Sequence, residues 1–100
     1  MFICNTTVNI NPEIEKKWVE WVKKEYFPLY AQIDIVEDIR LFRILTGEEY
    51  GGLTYAIQIY FKDKDSYQKF ESDYMFRLDN IHIAKFANAF VSFRSLISEI

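Results

Sequence analysis

Alternation opens the chain. Phe2, Cys4, Val8 and Ile10 share one parity, and Asn5, Thr7 and Asn9 share the other, so Phe2 to Ile10 reads as a half-buried strand. Asn11-Pro12 is a helix start: Asn can cap free amides, and Pro fits the first helical position. Glu13 and Glu15 favour that helix N-terminus electrostatically, and Ile14, Trp18, Trp21, Val22 and Tyr26 recur at helical spacing. Pro28 predicts a kink or an end near Tyr26 or Phe27, with a short continuation through Leu29, Tyr30 and Ile33. Val36 to Leu45 reads as a second strand, Ile39, Leu41 and Leu45 on one face and Phe42 and Ile44 on the other. Thr46 to Gly52 is a Gly-rich turn. Leu53 to Phe61 is the third strand, with Leu53, Tyr55, Ile57, Ile59 and Phe61 opposite Thr54, Ala56, Gln58 and Tyr60. The short loop between these two strands predicts an antiparallel hairpin. Asp63 or Asp65 can cap a second helix carrying Tyr67, Phe70, Tyr74, Leu78 and Ile81, its end loosened by Asp79-Asn80. Phe90 to Ile97 alternates again and reads as the fourth strand.

The order β-α-β-β-α-β is the split βαβ of ferredoxin-like α+β domains, and it predicts one domain over residues 1–100. Four antiparallel strands carry two helices on one face, and the other face is open. Whichever parity meets the helices, the opposite one still carries large apolar residues in strands two and four. Contiguous apolar surface of that kind marks an interface. Pairing of two open faces, the dimeric α+β barrel arrangement, would bury it, which makes a second copy of the chain the expected partner.

Composition narrows the partners. Half the residues are apolar and 18% are aromatic, which supports an independent core. The net charge of −3 and the scattered Lys and Arg argue against nucleic acid and against a membrane surface. One cysteine allows no internal disulfide, no run approaches a membrane span, and the N-terminal residues lack the pattern of a secretion signal. A cytoplasmic protein is the expectation.

Candidate chemistry is sparse. His82 is the only histidine, so a His-His metal pair is excluded, and no carboxylate follows it at i+3 or i+4. Its neighbours Ile81 and Ile83 suggest a helix end or an exit loop. Cys4 lies on the apolar parity of a strand, the setting of a buried, inert thiol. Arg40, Arg43 and Arg94 lie within strands, where a charge needs a partner. They can clamp an anion, or they can pair with Glu37, Asp38 or Glu99 as structural bridges, and the second reading is favoured. Tyr55 can donate to a ligand but sits on the parity opposite Gln58, so the two do not share a pocket. Trp18 and Trp21 read as core anchors, and Gly51-Gly52 lacks the spacing of a phosphate loop.

Several phrases together carry a resemblance: Asn5-Thr6-Thr7, Glu25-Tyr26-Phe27-Pro28, Arg40-Leu41-Phe42-Arg43-Ile44-Leu45, Gly51-Gly52-Leu53-Thr54-Tyr55-Ala56-Ile57-Gln58 and Phe90-Val91-Ser92-Phe93-Arg94. They resemble, over nearly the whole chain, short bacterial proteins of unknown function, the family numbered 4286 in the domain-of-unknown-function series. The resemblance supports the fold and implies no reaction. Haem-degrading members of the dimeric α+β barrel class use an Asn on the first strand, a Trp and a helical His, and Asn5 and His82 are similar to the first and last of these. No cofactor is expected from the residues themselves. Two functions therefore compete: a non-catalytic binding or assembly module, which one His, one Cys and no placed acid–base pair favour, and a cofactor-independent or haem-linked monooxygenase-like enzyme. For the module, a cleft lined by Arg43, Tyr55, Arg94, Asn5 and His82 would take a small acidic or aromatic ligand.

Overall fold

The computed structural model describes residues 1–46 and 52–100. β1 (Phe2–Ile10) leads into a 3₁₀ turn, Pro12–Ile14, whose entry is capped by Asn11: its side-chain oxygen accepts the Glu13 N–H at 2.9 Å. α1 (Glu15–Trp21) and α2 (Phe27–Ala31) follow, joined by a π-helical turn, Val22–Tyr26. Of the two outcomes expected at Pro28, a kink or an end, the end does not occur: the short continuation expected through Leu29 and Tyr30 is present as α2, entered through the π-helical turn. A proline ring collides with the carbonyl four residues back in an α-helix. Here the preceding turn is widened, the Phe27 N–H reaching back to the Val22 carbonyl, and the chain passes through Pro28 without leaving the helical region.

β2 is Asp38–Arg43, shorter than the Val36 to Leu45 expected. The ladder gains one backbone bond at each end, Glu37 N–H to Tyr60 O at 2.8 Å and Ile44 N–H to Thr54 O at 3.0 Å. Val36 is held in a turn by Ile33 O, and Leu45 is 87% exposed. The Gly-rich turn expected over Thr46 to Gly52 falls mostly on residues 47–51, outside the described residues.

After β3 (Leu53–Phe61), Asp63 caps α3 (Lys64–Phe70) by accepting the Ser66 N–H at 2.8 Å. A second π-helical turn, Glu71–Met75, leads to α4 (Phe76–Phe86). Asp79-Asn80 does not loosen the helix. Both side chains sit on a regular α-helical stretch that runs on to Phe86, so His82 is inside the helix and not in an exit loop. The helix stops at Ala87, whose ψ of 133° leaves the helical region, and Asn88 follows in the left-handed region at φ 65°, where a short polar side chain is better tolerated than most. β4 (Phe90–Ser98) closes the sheet.

The strand order is β2-β3-β1-β4, with every pair antiparallel. The helices cover the face that carries Cys4, Val8, Ile10, Ile57, Ile59 and Phe61, and these pack with Trp18, Val22, Tyr26, Tyr30, Phe70 and Leu78 into one core. The opposite face is open. Its cross-strand rows are Phe42–Ala56–Thr7–Phe93, Arg40–Gln58–Asn5–Ser95 and Asp38–Tyr60–Ile3–Ile97. Among the described residues, no helix is long and apolar enough to cross a membrane.

Candidate functional site

The covered side of the sheet contains most of the aromatic residues, and His82 lies among them. Its ring stacks on Phe90 at 3.9 Å between centroids with planes 6° apart, and on Trp21 at 5.7 Å and 21°. Trp18, Tyr26 and Phe86 complete the surround at 5.4–6.4 Å. An imidazolium in such a cage loses its water shell, and burial pushes the His82 pKa down to about 4. The Trp18 indole N–H donates to His82 Nε2 at 2.9 Å, a bond that joins two residues 64 positions apart.

Two tyrosines of the first helical segment form a chain beside this ring. The Tyr26 hydroxyl donates to the Leu78 carbonyl at 3.0 Å, and the Tyr30 hydroxyl donates to Tyr26 at 2.8 Å. A carbonyl can only accept, so the direction of both protons is set. Burial raises the Tyr26 pKa to about 12 and takes that of Tyr30 well above its ordinary value, so both remain neutral phenols. Tyr26 is the last residue of the widened turn before Pro28, and Tyr30 follows one helical turn later.

From β4, Arg94 crosses to α4 and donates to Asp79 Oδ1 at 2.7 Å, both side chains about one-third exposed. Asp79 lies one turn before His82. Together Arg94, Asp79, His82, Tyr26 and Tyr30, with Thr6 and Ser92, line a cleft of about 120 Å³ between α4 and the sheet. Cavities near this size hold a single aromatic ring or a few waters, whereas drug-sized ligands occupy roughly 300–1,000 Å³.

Of the residues singled out in the sequence, His82 and Arg94 meet in this cleft. Tyr55 and Arg43 lie elsewhere on the covered face. The Tyr55 hydroxyl donates to Glu15 Oε2 at 2.5 Å and its ring packs on Trp18, while Arg43 donates to the Ile44 and Thr54 carbonyls and sits 5.4 Å over the Tyr55 ring. Asn5 is on the opposite, open face, accepting from Gln58 at 3.1 Å and donating to Thr7. The five residues thus occupy three places. Arg40 pairs with Asp38 at 2.8 Å, as its structural reading anticipated. The partner of Arg94 is Asp79, which the sequence reading did not consider. Asp79, Tyr26, Tyr30 and Trp18 were all missed as cleft or support residues. The one local signal was Asp79 at i−3 from His82, on the same helix face. Cys4 is fully buried and its burial, opposed in part by the Arg94 charge, takes the thiol up to about 11.

Haem does not fit these residues. His82 Nε2 is occupied by the Trp18 N–H, Asn5 and His82 lie on opposite sides of the sheet, and the cleft is a small fraction of the space a macrocycle fills. Among the described residues no cluster of His, Cys, Asp or Glu could hold a metal ion.

Solved structures share this architecture at low identity. An ethyl tert-butyl ether D (EthD) family protein from Bacillus halodurans superposes with a TM-score of 0.70 at 16% identity, all of both chains covered. A dimeric ferredoxin-like protein from an uncultured marine organism gives 0.65 at 17%, covering 99% of this chain and 97% of its own. A haem degrader from Mycobacterium tuberculosis, with two haems bound in its active site, gives 0.71 at 10%, covering 100% of this chain and 96% of its own. At such identities the likeness is one of fold, the dimeric α+β barrel type. No curated protein matches. The family model for a domain of unknown function, DUF4286, matches residues 1–100, and the chain belongs to that family.

Proposed function

We propose that this domain is a homodimeric, non-catalytic binding module that holds a small neutral aromatic molecule in the cleft between α4 and the sheet. The observation that carries the reading is the cleft itself, where Arg94, Asp79, His82 and the Tyr30–Tyr26 chain converge around a ring-sized space. Of the acidic and aromatic ligands anticipated from sequence, the aromatic one is favoured. Arg94 is already compensated by Asp79, so a carboxylate would have to displace a charge-assisted bond of 2.7 Å to reach it. A binding role is also supported by what the titratable groups are doing. The Cys4 thiol is held protonated, the Trp18 bond occupies one nitrogen of His82, and the Asp79 carboxylate is engaged by Arg94.

Dimerisation through the open face is supported by the apolar side chains there, with Phe42, Val91, Phe93 and Ile97 between 43% and 70% exposed, and by the dimeric neighbour of the same fold. Light scattering after size exclusion should give twice 12.0 kDa at micromolar concentration. A thermal-shift series of neutral monocyclic aromatics against small carboxylates tests the cleft. Stabilisation by the neutral compounds that is lost in His82→Leu or Tyr30→Phe supports the reading. Stabilisation by carboxylates alone, lost in Arg94→Met, would replace it with an anion site.

A further inference from the structure

The structure assigns His82 a single role within that cleft: a fixed hydrogen-bond donor, through Nδ1–H, to a carbonyl oxygen on a neutral single-ring ligand. The assignment rests on the cleft being the binding site, and it follows from the ring's surroundings. An indole N–H can only donate, so Trp18 at 2.9 Å requires a lone pair on His82 Nε2. A neutral imidazole with a bare Nε2 carries its proton on Nδ1. Protonating both nitrogens would set two N–H groups against each other at that distance, in a cage that excludes water. The stack on Phe90 and Trp21 holds the ring plane, so the direction of Nδ1–H is held as well.

Nδ1 itself has no partner among the described residues. Every fully sealed side-chain nitrogen or oxygen among them does have one, so Nδ1 is not sealed, and His82 lines the cleft. An N–H donor with no protein acceptor, at the wall of a ring-sized cavity, is suited to a neutral acceptor such as a ketone, aldehyde or amide oxygen. The low pKa of the ring agrees with this, because it keeps His82 neutral through the physiological range. The same arrangement disqualifies it as a general base, since the only free position is already protonated. Trp18 is a positioning residue, selecting the tautomer from behind.

Because His82 is the only histidine, protein labelled with ¹⁵N-histidine gives one pair of ring nitrogens to observe. Long-range ¹H–¹⁵N spectra should show Nδ1 protonated and Nε2 bare from pH 8 down to pH 5. A proton on Nε2, or an imidazolium at pH 6, would overturn the assignment. Trp18→Phe removes the indole donor and should move the population towards the Nε2–H tautomer; an unchanged tautomer in that folded variant would also overturn it. The ligand arm compares acetophenone with ethylbenzene, the same ring with and without a carbonyl. Acetophenone should bind roughly tenfold more tightly and shift Nδ1 more than Nε2. Equal binding of the two with no Nδ1 shift would overturn the anchor while the cleft reading survives. Binding of neither, with the expected tautomer observed, would overturn the cleft reading and the anchor with it.

Discussion

The two faces of one sheet handle polar groups in opposite ways. On the covered face the most deeply placed polar bonds join specific distant or helical partners: Trp18 to His82, Tyr30 to Tyr26, Tyr26 to Leu78. On the open face polar groups form a surface ladder, Tyr60 to Gln58, Gln58 to Asn5, Asn5 to Thr7 and Asn9 to Thr54, and its margins are apolar. The ladder satisfies itself, which leaves its apolar margins as the feature in need of a partner. The covered face keeps one donor unspent. In low dielectric an unspent donor is costly, whereas beside water it costs little. That difference is the basis for proposing a ligand on the covered face and a second protein surface on the open one.

The sharpest way to break this comparison is at Trp18. It is fully buried, so Trp18→Ala should remove about 3–5 kcal/mol of stability by denaturant unfolding, enough to threaten the fold. Trp18→Phe keeps most of the packing and strands His82 Nε2, so it should cost about 1–3 kcal/mol. A loss under 0.5 kcal/mol for the alanine variant, on the order of a surface substitution, would place the energetic centre elsewhere.

Next in size is the open face. Phe93, 66% exposed in the protomer, should tolerate Asp as a monomer but not at a dimer interface. Phe93→Asp should weaken association by at least about a hundredfold, roughly 3 kcal/mol. Light scattering would show mass falling towards 12.0 kDa. Unchanged mass would put the interface on another surface.

The covered face should also respond to acid before the carboxylates do. The His82 pKa is 6.5 in its ordinary state and about 4 in the fold, so below pH 6.5 the unfolded chain binds a proton that the folded chain refuses. Stability is therefore full above pH 6.5 and falls as pH drops towards 4, by up to about 3 kcal/mol. His82→Gln should flatten the slope between pH 6.5 and 4.5 in urea titrations. An equally steep slope in that variant would assign the loss to other groups.

The smallest effect is expected in the ladder. Gln58→Ala removes bonds to Asn5 and Tyr60 beside solvent, and in a monomeric background it should cost no more than about 1 kcal/mol. A loss above about 2 kcal/mol would mean that the open face carries stability of its own.

Much of the fold was legible because it depends on short-range periodicity. The period-two runs of β1, β3 and β4, the Asn11 and Asp63 caps and the element order all depend on residues within a few positions of each other. At Pro28 local pattern left a kink or an end open, and the widened turn, by relieving the proline clash, let the helix continue. Local pattern misled at Asp79-Asn80, where packing of Leu78, His82 and Phe86 outweighs the modest helix preference of the two residues between.

The cleft was only partly legible. His82 and Arg94 stood out as a lone histidine and a charge within a strand, but nothing local joins them to Trp18, Tyr26, Tyr30 or Asp79. Sequence alone determined the strands, the helices and the surplus of apolar residues for a sheet with one open face. Tertiary structure decided which parity faces the helices, put Asn5 and His82 on opposite sides and brought Trp18 to His82 across 64 residues. The physical reason is range. Periodicity and capping act over one or two turns, whereas the protonation state of a buried ring depends on whichever distant groups the packing places against its two nitrogens.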